Sequence, residues 1–152
     1  LGQMWPDRKI LAWGGTAVLL SWLLFVDITF YFGTLYDTYI LGGLNTVVAT
    51  EIAQDLQQEP EKPDVFFLGF PRMGYYSLST IPYLVPEVEA VDLTEPLTAP
   101  PAWEIEQTTW VLFLPERLEE FQYVQEAFPN GRYDEVIDDQ DRLLYAVYRL
   151  EP

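Results

Sequence analysis

The chain has 152 residues with neither cysteine nor histidine, and its 24 acids against 8 bases give a formal charge of −16. Such a chain has no disulfide, no zinc site of the Cys/His kind, no cysteine nucleophile, no histidine base and no His-ligated haem. Its charge repels nucleic-acid phosphates, and a content of 49% apolar and 16% aromatic residues separates it from an acidic disordered tail.

The charge divides the chain in two. Asp7, Arg8, Lys9 and Asp27 cancel within residues 1–36, so all the excess acid lies beyond them. Ile10 to Val26 contains no charged residue, and as a helix this run reaches about 25 Å. Continued through Asp27 to Phe32 it reaches about 34 Å, enough to cross the hydrocarbon core of a bilayer. The sequence therefore predicts a cytoplasmic N-terminus at 1–9 and a transmembrane helix at 10–32. A buried core helix would carry one apolar stripe, whereas here the whole circumference is apolar. A signal peptide would have a shorter apolar run with a small-residue cleavage pattern behind it. The chain opens on Leu1, so it is either processed or part of something longer.

Arg8 and Lys9 stand directly before the apolar run. They place the N-terminus in the cytoplasm and residues after about 36 on the extracytoplasmic side, periplasmic or outer. Trp5 and the group Phe30, Tyr31, Phe32, Tyr36 and Tyr39 suit the two aromatic belts. Asp27 falls one turn inside the far interface, where it snorkels or takes a partner. Gly14, Ala17 and Ser21 form a narrow face of small residues that admits close approach of another membrane helix.

Residues 33–63 read as a juxtamembrane segment with an amphipathic helix. Gly42-Gly43 breaks the chain, and Thr46 to Gln57 then carries one apolar stripe at Val48, Ala49, Ile52, Ala53 and Leu56. Pro60 and Pro63 end that helix. Residues 64–152 form the acidic domain. Val65 to Leu68 is a continuous apolar run, the mark of a strand buried on both faces. Ser79 to Val85 reads as a short helix, Val88 to Leu93 as a second strand, and Thr94 to Pro101 as a proline-rich loop. Thr109 to Leu114 is a third strand. Pro115 opens a helix with Glu116, Glu119 and Glu120 in its first turns and Leu118, Phe121, Val124 and Phe128 on one face. Pro129-Asn130-Gly131 stops it, and Tyr133–Ile137 and Leu143–Leu150 pair across the turn Asp138–Arg142. The expected fold is one transmembrane helix followed by a small three-layer α/β domain, its sheet mostly parallel with an antiparallel edge.

The loop Gly69 to Gly74 follows the first buried strand, where α/β folds place their ligands, and Arg72 has the geometry to hold a phosphate or carboxylate. Neither the Walker spacing nor the dinucleotide spacing is present. The plainer account is a turn shaped by Gly and Pro, with Arg72 paired to a carboxylate. Gly69, Arg72 and Gly74 are the anion-binding candidates. Asp134, Glu135, Asp138, Asp139 and Asp141 crowd one turn at an oxygen density that suits calcium, but the EF-hand spacing is missing. A solvated acidic hairpin explains them, and no metal ligand or cofactor is assigned. Glu87/Glu89 and Glu104/Glu106 are pairs that chance supplies in a chain this acidic, so no residue receives a catalytic role.

A last membrane helix, Phe30-Tyr31-Phe32 with Tyr36, the helix near Ile52-Ala53 and the strand Val65–Gly69 with Pro71-Arg72-Met73 form the first part of a pattern. Ser79-Thr80-Ile81-Pro82-Tyr83-Leu84 and the helix Arg117–Phe128 before Pro129-Asn130-Gly131 complete it. From Tyr31 onward this resembles the C-terminal end of bacterial membrane glycosyltransferases that use polyprenyl-phosphate sugars, of the protein O-mannosyltransferase and aminoarabinose-transferase type. The resemblance implies an extracytoplasmic α/β cap. That family's catalytic and donor-binding residues lie in the first outer loop and among many membrane helices, so none maps onto this chain.

The expected function is a non-catalytic, membrane-anchored accessory subunit that assembles with other transmembrane subunits in the bilayer. An electron-transfer complex is one setting, in which this chain would bind no redox cofactor. The alternatives are the cap fragment of such a glycosyltransferase and an anionic-ligand-binding domain.

Overall fold

The computed structural model describes residues 5–34 and 43–152, with side chains from 12–33 and from Gly43 onward. The expected roles of Leu1, Tyr36, Tyr39 and Gly42, and of the Trp5, Arg8 and Lys9 side chains, lie outside the described residues. The chain divides into two compact units, Leu1–Gly43 and Leu44–Pro152.

In the first unit, helix α1 spans Trp5–Thr29 and continues into a π-helical turn at Phe30–Thr34. It starts five residues before the expected Ile10. Pro6 at its second position is tolerated because no first-turn N–H has a partner within the helix. The stretch Ala12–Gly33 is long and apolar enough to cross a membrane, by length and composition. Trp13, Val18, Trp22 and Phe25 are each more than half exposed. Thr16 donates its hydroxyl to the Ala12 carbonyl at 2.9 Å, so this polar group is satisfied within the helix.

The second unit is a five-stranded mixed sheet with apolar layers on both faces. It comprises α2 (Gly43–Gln58), β1 (Asp64–Leu68), α3 (Thr80–Leu84), β2 (Ala90–Asp92), β3 (Thr109–Phe113), a 3-10 turn (Pro115–Glu120), α4 (Phe121–Ala127), β4 (Arg132–Ile137) and β5 (Leu143–Leu150). The strand order is β2-β1-β3-β5-β4. β1 pairs in parallel with β2 and β3, and β5 runs antiparallel to both β3 and β4. This corrects the expectation of a mostly parallel sheet with an antiparallel edge. The strand that runs against its neighbours is β5, and it lies inside the sheet, because the hairpin docks on β3 through β5 and leaves β4 at the edge.

Alternation along the strands divides the core. Val65, Phe67, Trp110, Leu112 and Val147 face one side, where α2 lays down Val48, Ala49, Ile52, Ala53 and Leu56. Those five helix residues are the stripe expected from sequence, and all are fully buried. Lys62 secures the end of α2 by donating to the carbonyls of Leu56 at 2.8 Å, Gln57 at 3.1 Å and Glu59 at 2.8 Å. Leu68, Val111, Phe113, Ala146 and Tyr148 face the other side. That side is covered by Val124, Phe121 and Phe128 of the α4 region and by an extended strap, residues 93–108, which anchors through Leu93, Leu97, Trp103 and Ile105. Trp103 stacks on Phe66 at 4.3 Å between centroids and lies parallel to Phe128 at 6.1 Å. The strap does the covering that a crossover helix would otherwise do.

Candidate functional site

β1, β2 and β3 run in one direction, so their carboxyl ends meet at one rim of the sheet. The chain leaves β1 toward the α2 face and leaves β3 toward the opposite face. The rim between β1 and β3 is therefore the point at which open α/β sheets form a crevice. The loop Gly69–Gly74 occupies it.

The glycines of this loop are dictated by contact. A Cβ on Gly69 would overlap the Met73 carbonyl and the Phe67 ring, and the Met73 amide closes the turn on the Gly69 carbonyl at 3.1 Å. A Cβ on Gly74 would lie 2.7 Å from an Asp92 carboxylate oxygen. Asp92, at the end of β2, accepts the Tyr75 amide at 2.6 Å, while Ser77 Oγ accepts the Gly74 amide at 2.8 Å. The Phe70–Pro71 peptide is cis.

Arg72 is mostly buried and is already engaged. Its Nε donates to Asn45 Oδ1 at 2.7 Å and its Nη1 to Glu116 Oε1 at 3.2 Å, bridging α2 to the segment after β3. Nη2 is buried with no hydrogen-bond partner among the described residues. Gly69, Arg72 and Gly74 thus share one loop as expected, but the guanidinium is directed at the protein's own groups. In a domain this rich in acids, a carboxylate within reach is the ordinary outcome.

The strongest electrostatic feature at this rim is one the sequence reading passed over. Arg117 is 5% exposed and Glu120 is 8% exposed. Arg117 Nε and Nη2 both donate to the Glu120 carboxylate, the latter at 2.7 Å. Nη1 reaches the carbonyls of Leu93 at 2.8 Å and Phe70 at 3.4 Å, and Nη2 reaches Glu95 at 3.0 Å. Glu120 also accepts the Leu97 amide at 2.7 Å. One ion pair therefore ties the connections leaving β1, β2 and β3 together. The local cause is the 3-10 turn, in which residues i and i+3 eclipse, so the two side chains lie one above the other. The helix expected from Pro115 thus opens as a 3-10 segment, Pro115–Glu120, and becomes α-helical only from Phe121. The Arg-x-x-Glu spacing beside a run of apolar residues was the available signal.

Several of the remaining acids belong to the β4–β5 hairpin. No cluster of three or more potential metal ligands occurs among the described residues. Asp138 caps the β4–β5 turn, accepting the amides of Gln140 at 2.8 Å and Arg142 at 3.0 Å and the Arg142 guanidinium at 2.7 Å. Desolvation acts upward on its carboxyl, but these hydrogen bonds and the Arg142 charge outweigh it and hold the group below the usual carboxylate range. Asp141 takes the left-handed conformation, φ +58°, that closes the turn. Asp134 pairs with Arg149, whose guanidinium also sits 4.6 Å from the Trp110 ring. Glu87, Glu89, Glu104 and Glu106 are exposed.

Three tyrosines resist ionisation. Burial first, then hydrogen bonding to Asp55 at 2.5 Å and its charge, push the Tyr145 hydroxyl far up. Burial and then Glu135 raise Tyr133. Burial and then Tyr76 raise Tyr75, whose hydroxyl is buried without a partner among the described residues.

On α1, Gly14, Ala17 and Ser21 are exposed. A Cβ on Gly14 would meet open space, and Ala17 and Ser21 line a shallow apolar groove with Val18, Trp22 and Phe25. A second depression is lined by Asp27, Ile28, Phe30, Tyr31 and Phe32.

No protein-family model matches this chain, and no curated protein does. Among solved structures it is similar to a release-factor-specific protein-(glutamine-N5) methyltransferase from Alicyclobacillus acidocaldarius. The two are 16% identical with a TM-score of 0.44, and the match covers 74% of this chain and 96% of that chain. The structural likeness thus falls on a methyltransferase and not on a glycosyltransferase cap, which corrects the resemblance stated from sequence. Several of the segments that carried it, an apolar strand, a turn with Gly and Pro and short helices, are common to many small α/β units. The expectation of a chain without enzymatic character, or catalytic only as a glycosyltransferase fragment, is corrected on the same finding: the solved structure it is similar to is that of a methyltransferase, not of a glycosyltransferase. At this level of similarity nothing of that enzyme's activity transfers to this chain.

Proposed function

We propose that this chain is a membrane-anchored accessory subunit. α1 crosses the bilayer once and holds the acidic α/β domain on the extracytoplasmic side, where it supports assembly of a larger membrane complex. The observation that carries the reading is the exposed apolar circumference of α1 over Ala12–Gly33, with Trp13 at 75%, Val18 at 72% and Trp22 at 65% exposure. A soluble protein rarely leaves so much contiguous apolar surface in water, whereas lipid accepts it on every side. Arg8-Lys9, directly before the uncharged stretch of α1, supports a cytoplasmic N-terminus. The groove beside Ala17 and Ser21 supports packing against other membrane helices.

The absence of cysteine makes the test clean. In whole cells, a membrane-impermeant maleimide should label Gln140→Cys and leave Gln3→Cys unlabelled until the cells are lysed. Alkaline carbonate should leave both variants in the membrane fraction. Release into the supernatant, or the reverse labelling pattern, overturns the anchor or its orientation respectively.

A further inference from the structure

We propose that Asp27 is the contact point for a second membrane helix carrying a lysine or arginine at matching depth. The inference rests on the reading of α1 as a membrane span and names the chemistry of its partner. Asp27 is the sole charged residue within Ala12–Gly33. It is exposed, and among the described residues it has no hydrogen-bond or ion-pair partner. The bases nearest to it in its own helix, Arg8 and Lys9, lie about 27 Å away along the axis or farther. A carboxylate placed within an apolar span is costly unless a cation or donor meets it, so its counter-charge has to come from outside this chain's own helix.

The surroundings of Asp27 select the form of that cation. It lines a depression with Ile28, Phe30, Tyr31 and Phe32, and the Tyr31 and Phe32 rings meet edge to face at 5.5 Å. Aromatic faces beside a carboxylate favour an ammonium or guanidinium group. A π-helical turn begins at Phe30, three residues beyond Asp27. Around the axis, Ser21, Leu24 and Ile28 lie within about 40° of Ala17, and Asp27 about 80° to one side. A helix seated over Ala17 and Ser21 therefore presents its flank to Asp27, the position at which charged pairs form beside a packed seam. Asp27 lies about 9 Å short of Gly33 along the axis. A lysine on a neighbouring helix reaches this depth with its stem in the apolar layer, whereas a lipid amine stays in the headgroup layer.

The test uses the full chain, dye-labelled at Gln3→Cys, in phosphatidylcholine vesicles with acceptor-labelled Leu/Ala helices. One helix carries a lysine at the depth of Asp27 and the other a leucine. Energy transfer should show the lysine helix binding about tenfold more tightly than the leucine helix. Asp27→Asn should abolish the difference and Asp27→Glu should keep it. Equal binding of the two helices by the unsubstituted chain overturns the inference, as does a lysine preference that survives Asp27→Asn. An effect of Asp27→Asn that emerges only when phosphatidylethanolamine replaces phosphatidylcholine assigns the carboxylate to lipid amines and also overturns it. Vesicle flotation in alkaline carbonate separates the two readings. A chain that floats without a lysine preference overturns this inference alone, and a chain that does not float overturns the membrane reading as well.

Discussion

Replacing Arg117 by methionine keeps most of the side-chain volume and removes five hydrogen bonds at once. Two of them go to Glu120 and three to the carbonyls of Phe70, Leu93 and Glu95. Glu120, 8% exposed, would retain only the Leu97 amide. Stripping a buried carboxylate of its cation costs about 3–5 kcal/mol. Each carbonyl left without a donor adds about 1 kcal/mol where water does not reach it. Against a total of about 5–15 kcal/mol for a domain, Arg117→Met should leave the domain close to unfolding. Arg117→Met/Glu120→Leu removes both charges and should recover part of the loss, because the carbonyls remain unpaired but the lone carboxylate is gone. The assay is urea unfolding of the full chain in detergent, followed by tryptophan fluorescence, since Trp103 and Trp110 both report on this domain. A single variant within about 1 kcal/mol of the unsubstituted protein, or a double variant less stable than the single one, would refute the reasoning.

Gly69→Ala should destabilise by about 2–4 kcal/mol in the same assay, because its Cβ overlaps the Met73 backbone, while Gly14→Ala, which faces open space, should stay within about 1 kcal/mol. The Asp138 carboxyl titrates below its unfolded value when folded, so its contribution is present above about pH 4 and is lost as pH falls through the folded value. The stability difference between Asp138→Asn and the unsubstituted protein should therefore vanish in acid, and a difference independent of pH would count against the capping role. Tyr145 holds its proton more tightly folded than unfolded, so its contribution is present below about pH 10 and is lost as pH rises beyond it. Urea midpoints between about pH 9 and 11 should fall less steeply for Tyr145→Phe, and identical slopes would exclude the shift.

Much of this architecture is legible along the chain because its signals are local. The stripe at Val48, Ala49, Ile52, Ala53 and Leu56 has helical period, and Pro60 follows the end of α2 at Gln58. The run Trp110–Leu114 is apolar throughout, and the strand Thr109–Phe113 that contains most of it is buried at every position. Pro129-Asn130-Gly131 follows the end of α4 at Ala127, a local stop, although the contact that requires glycine at 131, the Tyr148 ring, is tertiary. The apolar length of α1 and the confinement of the excess acid to residues beyond 36 are likewise properties of sequence alone.

Tertiary structure decided the order of the strands and the use of the charges. Nothing local places β5 between β3 and β4, because a hairpin can be laid against a sheet by either of its strands. Burial selects β5, whose interior positions are nearly all covered, while β4 carries Arg132, Asp134 and Glu135 to the edge. The two central arginines divide in the same way. Arg72 was visible as a cation in a glycine loop, yet its partners, Asn45 and Glu116, are 27 and 44 residues away. Arg117 carried no such flag, because the carbonyls that define it belong to the connections leaving β1 and β2 and meet only when the parallel strands align. Periodicity reports which side of an element is buried. Which distant groups then face one another depends on the packing of the whole sheet.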